Sequence, residues 1–136
     1  MSSLFYIVSP LLQISANMAM HQISTALKSP VQKELLDTKG IWRPLMDPLM
    51  LYPLAGAPFI NAFVLHQVAR AFNVTVRGDI YSGCSLAFIL WCAGPLHGMF
   101  INYTSLKTSV QVTIHFTLTT LVVALINGVC YGYFSK

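Results

Sequence analysis

Every charged side chain in this sequence lies between or beside four apolar runs, and that arrangement limits the available folds more than any motif does. The basic residues are Lys28, Lys33, Lys39, Arg43, Arg70, Arg77, Lys107 and Lys136, and the acids are Glu34, Asp37, Asp47 and Asp79. Together they make up 9% of the chain, against about 25% in an average soluble domain. A soluble protein of this size must cover its surface with charge, whereas one that faces lipid tails must not. The sequence therefore reads as an integral, multi-pass membrane protein whose first partner is the lipid bilayer, with no organelle implied.

A net charge of +4 does not point to nucleic acid here, because the basic residues mark headgroup-level loops and form no stripe interleaved with aromatics. Cys84, Cys92 and Cys130 fall inside apolar runs at no metal-knuckle spacing and read as small buried hydrophobes.

A crossing helix needs about 20 mostly apolar residues. Stretches near 48–68, 80–102 and 110–133 meet that length, and a weaker one covers about 3–20. The N-terminal MSSLFYIVSPLLQISANMAM has no charged leading region and contains Pro10, Gln13 and Asn17. It is therefore read as a retained first span and not as a signal peptide. The expected fold is all-α: one domain over residues 1–136, an antiparallel bundle of four transmembrane helices. The alternative is three spans plus an interfacial N-terminal helix. In the one extended polar stretch, Pro30, Val31, Leu35, Leu36 and Gly40 predict a short helix over 31–38. Trp42 and Arg43 read as headgroup anchors. The first and third loops carry five basic residues against three in the second loop and tail, which favours both termini outside. Asn73 and Asn102 stand in sequons on opposite sides of the bundle.

Within the second span, Pro53 and Pro58 each remove a backbone hydrogen bond, so that helix should kink or open around Ala55, Gly56 and Ala57. Gly94 and Gly98 in the third span, and Gly128 and Gly132 in the fourth, have the GxxxG spacing that lets helices approach closely. Thr113, Thr117, Thr120, Ala124 and Gly128 form one small, hydroxylated seam, and Gln111, His115 and Thr119 a polar stripe nearly opposite.

Ionisable groups are costly in hydrocarbon, so the histidines need a reason. His97 lies five residues before Asn102 and His115 five after Val110, which puts both about 7 Å inside the same face at about 1.5 Å per residue. His21 closes the first span at that face and Asp47 opens the second, while His66 lies at the opposite side near Arg70. One reading makes these a site: His97, His115 and Asp47 as a catalytic set, and His21, His97 and His115 as metal ligands. Such a site would serve a metal, a haem or proton handling beside a quinone or lipid-like substrate. The other reading has the same side chains hydrogen-bonding across helices. The sequence names no cofactor.

The fragment GPLHGMFINY, residues 94–103, with Asp79 before it, resembles a segment of the small mitochondrial and peroxisomal membrane proteins discussed as pores. It covers ten residues of 136, and no residue role is carried over from it. The expected function is an accessory or scaffold subunit that packs, as a homo-oligomer or in a larger membrane complex, through its glycine and threonine faces. A small membrane enzyme or redox anchor using the histidines is the alternative. A small pore or carrier lined by Pro53, Pro58, Asn61 and the threonines is a third reading.

Overall fold

The computed structural model describes residues 2–37, 48–73, 79–105 and 109–135. Among them there is helix and no strand, in the order α1 (Phe5–Ala26), α2 (Pro30–Asp37), α3 (Pro48–Ala71), α4 (Ile80–Trp91), a π-helical turn (Cys92–Leu96), α5 (His97–Ser105) and α6 (Val110–Phe134). The stretches Ile80–Thr104 and Val110–Phe134, 25 residues each, are long and apolar enough to cross a membrane. Helix α1 is unbroken for 22 residues despite Pro10. The short helix expected over 31–38 forms as α2, while Gly40, Trp42, Arg43 and Asp47 lie outside the described residues.

Of the two outcomes expected at the prolines of the second span, a kink or an opening, the opening does not occur. Helix α3 runs on through Pro53 and Pro58 without opening. The irregular turn falls at Pro95 instead, within the π segment. Proline has no N–H to give and its ring crowds the carbonyl four residues back, so the turn widens to accommodate it.

Capping residues set the helix starts. Asp79 accepts the amides of Tyr81 and Ser82 at 3.0 and 3.1 Å and also the Ser82 hydroxyl. Ser109 accepts the amide of Val112 at 3.2 Å at the start of α6. Its own amide donates to Glu34 Oε1 at 3.1 Å, so α2 supplies the second half of that cap from a distant part of the chain.

The Ser82 hydroxyl and the two amides hold the Asp79 carboxyl below its ordinary value, because each bond favours the charged form. With a lowered folded value, the contribution of Asp79 is present above its unfolded pKa and lost as pH falls through the folded one. Acid unfolding in detergent should therefore show a loss in that window that Asp79→Asn, which caps without titrating, does not show.

Helix α6 is the hub, packed most extensively on α4, then on α1, and less on α5 and α3. Phe5 meets Tyr131 with ring centroids 5.4 Å apart and Ser9 bonds Asn127, so α1 is antiparallel to α6. His66 beside Tyr131 and Asn61 beside Asn127 set α3 parallel to it. Phe5, Ala62, Leu65, Ala69, Ala87, Cys130 and Tyr131 form the core. Outside it, every long helix shows large apolar side chains, such as Ile23 at 58%, Ile60 at 63%, Ile89 at 63% and Ile114 at 53% exposure. Soluble monomers rarely carry such surface on all sides, and lipid would cover it.

The close helix contact is a glycine seam between α4 and α6. A Cβ on Gly128 would stand 2.7 Å from the Gly83 carbonyl oxygen and 2.8 Å from Cys84 Cα, and one on Gly132 2.7 Å from Ile80 Cα. A Cβ on Gly83 would fall on the Gly128 carbonyl. Trp91 Nε1 donates to Thr120 Oγ1 at 3.0 Å farther along the seam. The Gly128–Gly132 pair thus packs as expected, but its partner is Gly83 and Ala87. A Cβ on Gly94 or on Gly98 would meet nothing within 4 Å.

Candidate functional site

Of the sequence-predicted histidines, His21 on α1 and His115 on α6 are half-buried, and His115 lies within range of the charge of His21. His97 stands exposed on α5. Asp47 lies outside the described residues. Among the described residues no three His, Cys, Asp or Glu side chains gather where they could hold a metal ion. His21 and His115 thus lie on the antiparallel pair α1 and α6, and His97 on α5.

The polar residues that are most deeply buried are ones the sequence expectations do not include. Ser9, Gln13 and Asn127 are 0%, 1% and 5% exposed, and they form one chain of hydrogen bonds at the meeting of α1, α3 and α6. Gln13 Nε2 donates to Ser9 Oγ at 3.0 Å. Ser9 Oγ donates to Asn127 Oδ1 at 2.8 Å, and Asn127 Nδ2 donates to the main-chain oxygen of Asn61 at 3.1 Å. Cys130 places its thiol beside Ser9. The signal is present in the sequence as polar side chains four apart, at 9, 13, 17 and 21, inside a run otherwise apolar. Spacing of four puts them on one helix face.

Toward the other end, His66 is set between two tyrosines, its ring centroid 5.8 Å from that of Tyr6 and 6.0 Å from that of Tyr131. Its Nδ1 is buried without a hydrogen-bond partner. His66, read from the sequence as a local interfacial residue, is therefore the histidine with the most built surroundings.

Other predicted features serve the fold. The hydroxyls of Thr113, Thr117 and Thr119 bond to carbonyls one turn back in their own helix, which satisfies them inside an apolar setting. Asn61 turns its side chain outward and only its carbonyl inward. The groove between α1 and α6, about 310 Å³, is lined by Leu12, Val122, Leu125, Ile126, Val129 and Cys130 and offers no polar wall. The three cysteines are free thiols, Cys130 buried and the others half-buried.

None of the family models, curated proteins or solved structures compared with this chain matches it.

Proposed function

We propose that the chain is a small multi-pass membrane protein that acts as an accessory or scaffold subunit, presenting the open ridge at Gly94 and Gly98 to a partner transmembrane helix. The observation that carries this reading is the contrast between the two GxxxG pairs. Gly128 and Gly132 are filled by α4, whereas Gly94 and Gly98 meet nothing within 4 Å. Around the open pair stand the apolar side chains of Phe100 and Ile101, 63% and 50% exposed. In lipid there is no hydrophobic drive between helices, so a ridge of small residues gains by close van der Waals contact with another backbone.

The test is in-membrane cross-linking with Gly98→Leu. The variant should fold as the wild type does, because a Cβ at position 98 meets no atom within 4 Å, and it should lose the cross-linked dimer or complex. Cross-linking at wild-type level in that variant would count against the ridge as the docking face.

A further inference from the structure

Helix α3 carries two stripes of residues, one turned into the bundle and one turned away from its centre. Pro58, Ala62, Leu65 and Ala69 are buried, and the last three belong to the core with Phe5 and Tyr131. The residue before each of these stands about 100° round the helix, at 3.6 residues per turn. Those residues are Ala57, Asn61, Val64 and Val68. Ala57 and Asn61 are exposed, Val64 is 44% exposed and Val68 is half-buried. Intervals of four, three and four residues make this second stripe a seam of the kind along which two helices wind around each other with a left-handed twist.

Asn61 breaks the apolar character of the seam. It lies close to the middle of α3, which runs from Pro48 to Ala71. Its main-chain oxygen accepts the Asn127 Nδ2 amide at 3.1 Å, a bond that helps to hold α3 at this rotation. Its carboxamide is exposed and, among the described residues, has no hydrogen-bond partner. The exposed hydroxyls of Ser15 and Thr104 are provided for, because each donates to a carbonyl one turn back in its own helix. Asn61 makes no such bond.

A carboxamide has two N–H groups to give and an oxygen to receive. Hydrocarbon offers neither, and at mid-membrane there is no water to take their place. The group that matches a carboxamide at both ends is another carboxamide. Asn61 in a second copy of the chain stands at the same depth and on the same seam, so a two-fold axis along the membrane normal brings the two together. In parallel coiled coils a single Asn within an apolar seam fixes register and the number of strands in this way. Ala57, one turn earlier, is small enough for the two backbones to approach.

We infer that the chain forms a parallel two-fold dimer through this seam of α3, with the two Asn61 carboxamides bonded to each other across the axis. Val64 then meets its counterpart on one side of the bonded pair and Ala57 on the other. This inference rests on the multi-pass reading, and it leaves the ridge at Gly94 and Gly98 free for a different helix.

The experiment is sedimentation equilibrium of the full chain in density-matched detergent micelles. Wild type should form a reversible dimer of the 15.0 kDa chain. Asn61→Ala should weaken that dimer about tenfold or more while keeping the wild-type helix content by circular dichroism. Asn61→Gln, which retains a carboxamide, should stay within a few-fold of wild type, and Gln67→Ala, exposed but off the seam, should not differ from it. A monomeric wild type would overturn the dimer, and so would a dimer equally tight in Asn61→Ala. A second measurement separates this failure from that of the membrane reading. Ile60, 63% exposed beside Asn61, lies off the seam at the same depth. In vesicles, a membrane-impermeant maleimide should label Ile60→Cys no more than wild type. Label gained there would place α3 outside the hydrocarbon and overturn both readings. No gain together with monomeric protein would overturn the dimer and leave the membrane reading standing.

Discussion

Gly128→Val should separate α4 from α6 and unfold the bundle at far lower denaturant than the wild type requires. The first carbon of the new side chain would stand 2.7 Å from the Gly83 oxygen, 2.8 Å from Cys84 Cα and 2.9 Å from Ala87 Cβ. Overpacking costs about 1–3 kcal/mol where neighbouring side chains can turn away. Two of these neighbours are backbone atoms in a helix, which cannot turn, so the cost should reach or exceed the top of that range. Gly83→Val should behave alike, since its Cβ would strike the Gly128 carbonyl from the other side. Gly94→Ala provides the contrast. It meets nothing within 4 Å, and replacing a helical glycine with alanine removes about 0.5–1 kcal/mol of unfavourable backbone entropy. Unfolding by a graded denaturing detergent, followed by circular dichroism, would compare the three. Equal midpoints for Gly128→Val and wild type would show that the seam is not a tight contact.

The helices themselves are legible from charge placement: where Lys, Arg, Asp and Glu stop, α3, α4 with α5, and α6 begin. Which glycines meet is not. GxxxG spacing marks a helix that can be approached, and Gly94–Gly98 satisfies it as well as Gly128–Gly132 does. The choice between them depends on helix rotation and on a partner pattern, Gly83 with Ala87, in which the second small residue is alanine. The histidines show the same limit. Topology can assign a depth to a histidine, but depth does not fix direction, and His97 on α5 is exposed after the π turn at Pro95. The hydrogen-bond chain through Gln13 is hidden for a different reason. Taken singly, its α1 side chains look like flaws in a weak first span, although four of them four residues apart define a face. They become a set only when α6 supplies Asn127 opposite Ser9.

Asn127→Leu should lower stability by about 1–2 kcal/mol, the range found for hydrogen bonds between model membrane helices. The substitution keeps the branched shape and removes both ends of the carboxamide, leaving the Ser9 hydroxyl without its acceptor and the Asn61 carbonyl without its second donor. Ser9→Ala is a separate injury, because it takes the acceptor from Gln13 Nε2 at a site 1% exposed. If the bonds act as a chain, the double variant should cost clearly less than the two single changes added together. The hydroxyl stranded by the first change is gone in the second, and groups in one hydrogen-bond network couple by about 0.5–3 kcal/mol. Additive losses in the denaturant midpoints would mean that each bond stands alone. Coupling would show that α1 is held to α6 and α3 by a single polar unit, as the fixed order of donors and acceptors from Gln13 to the Asn61 carbonyl requires.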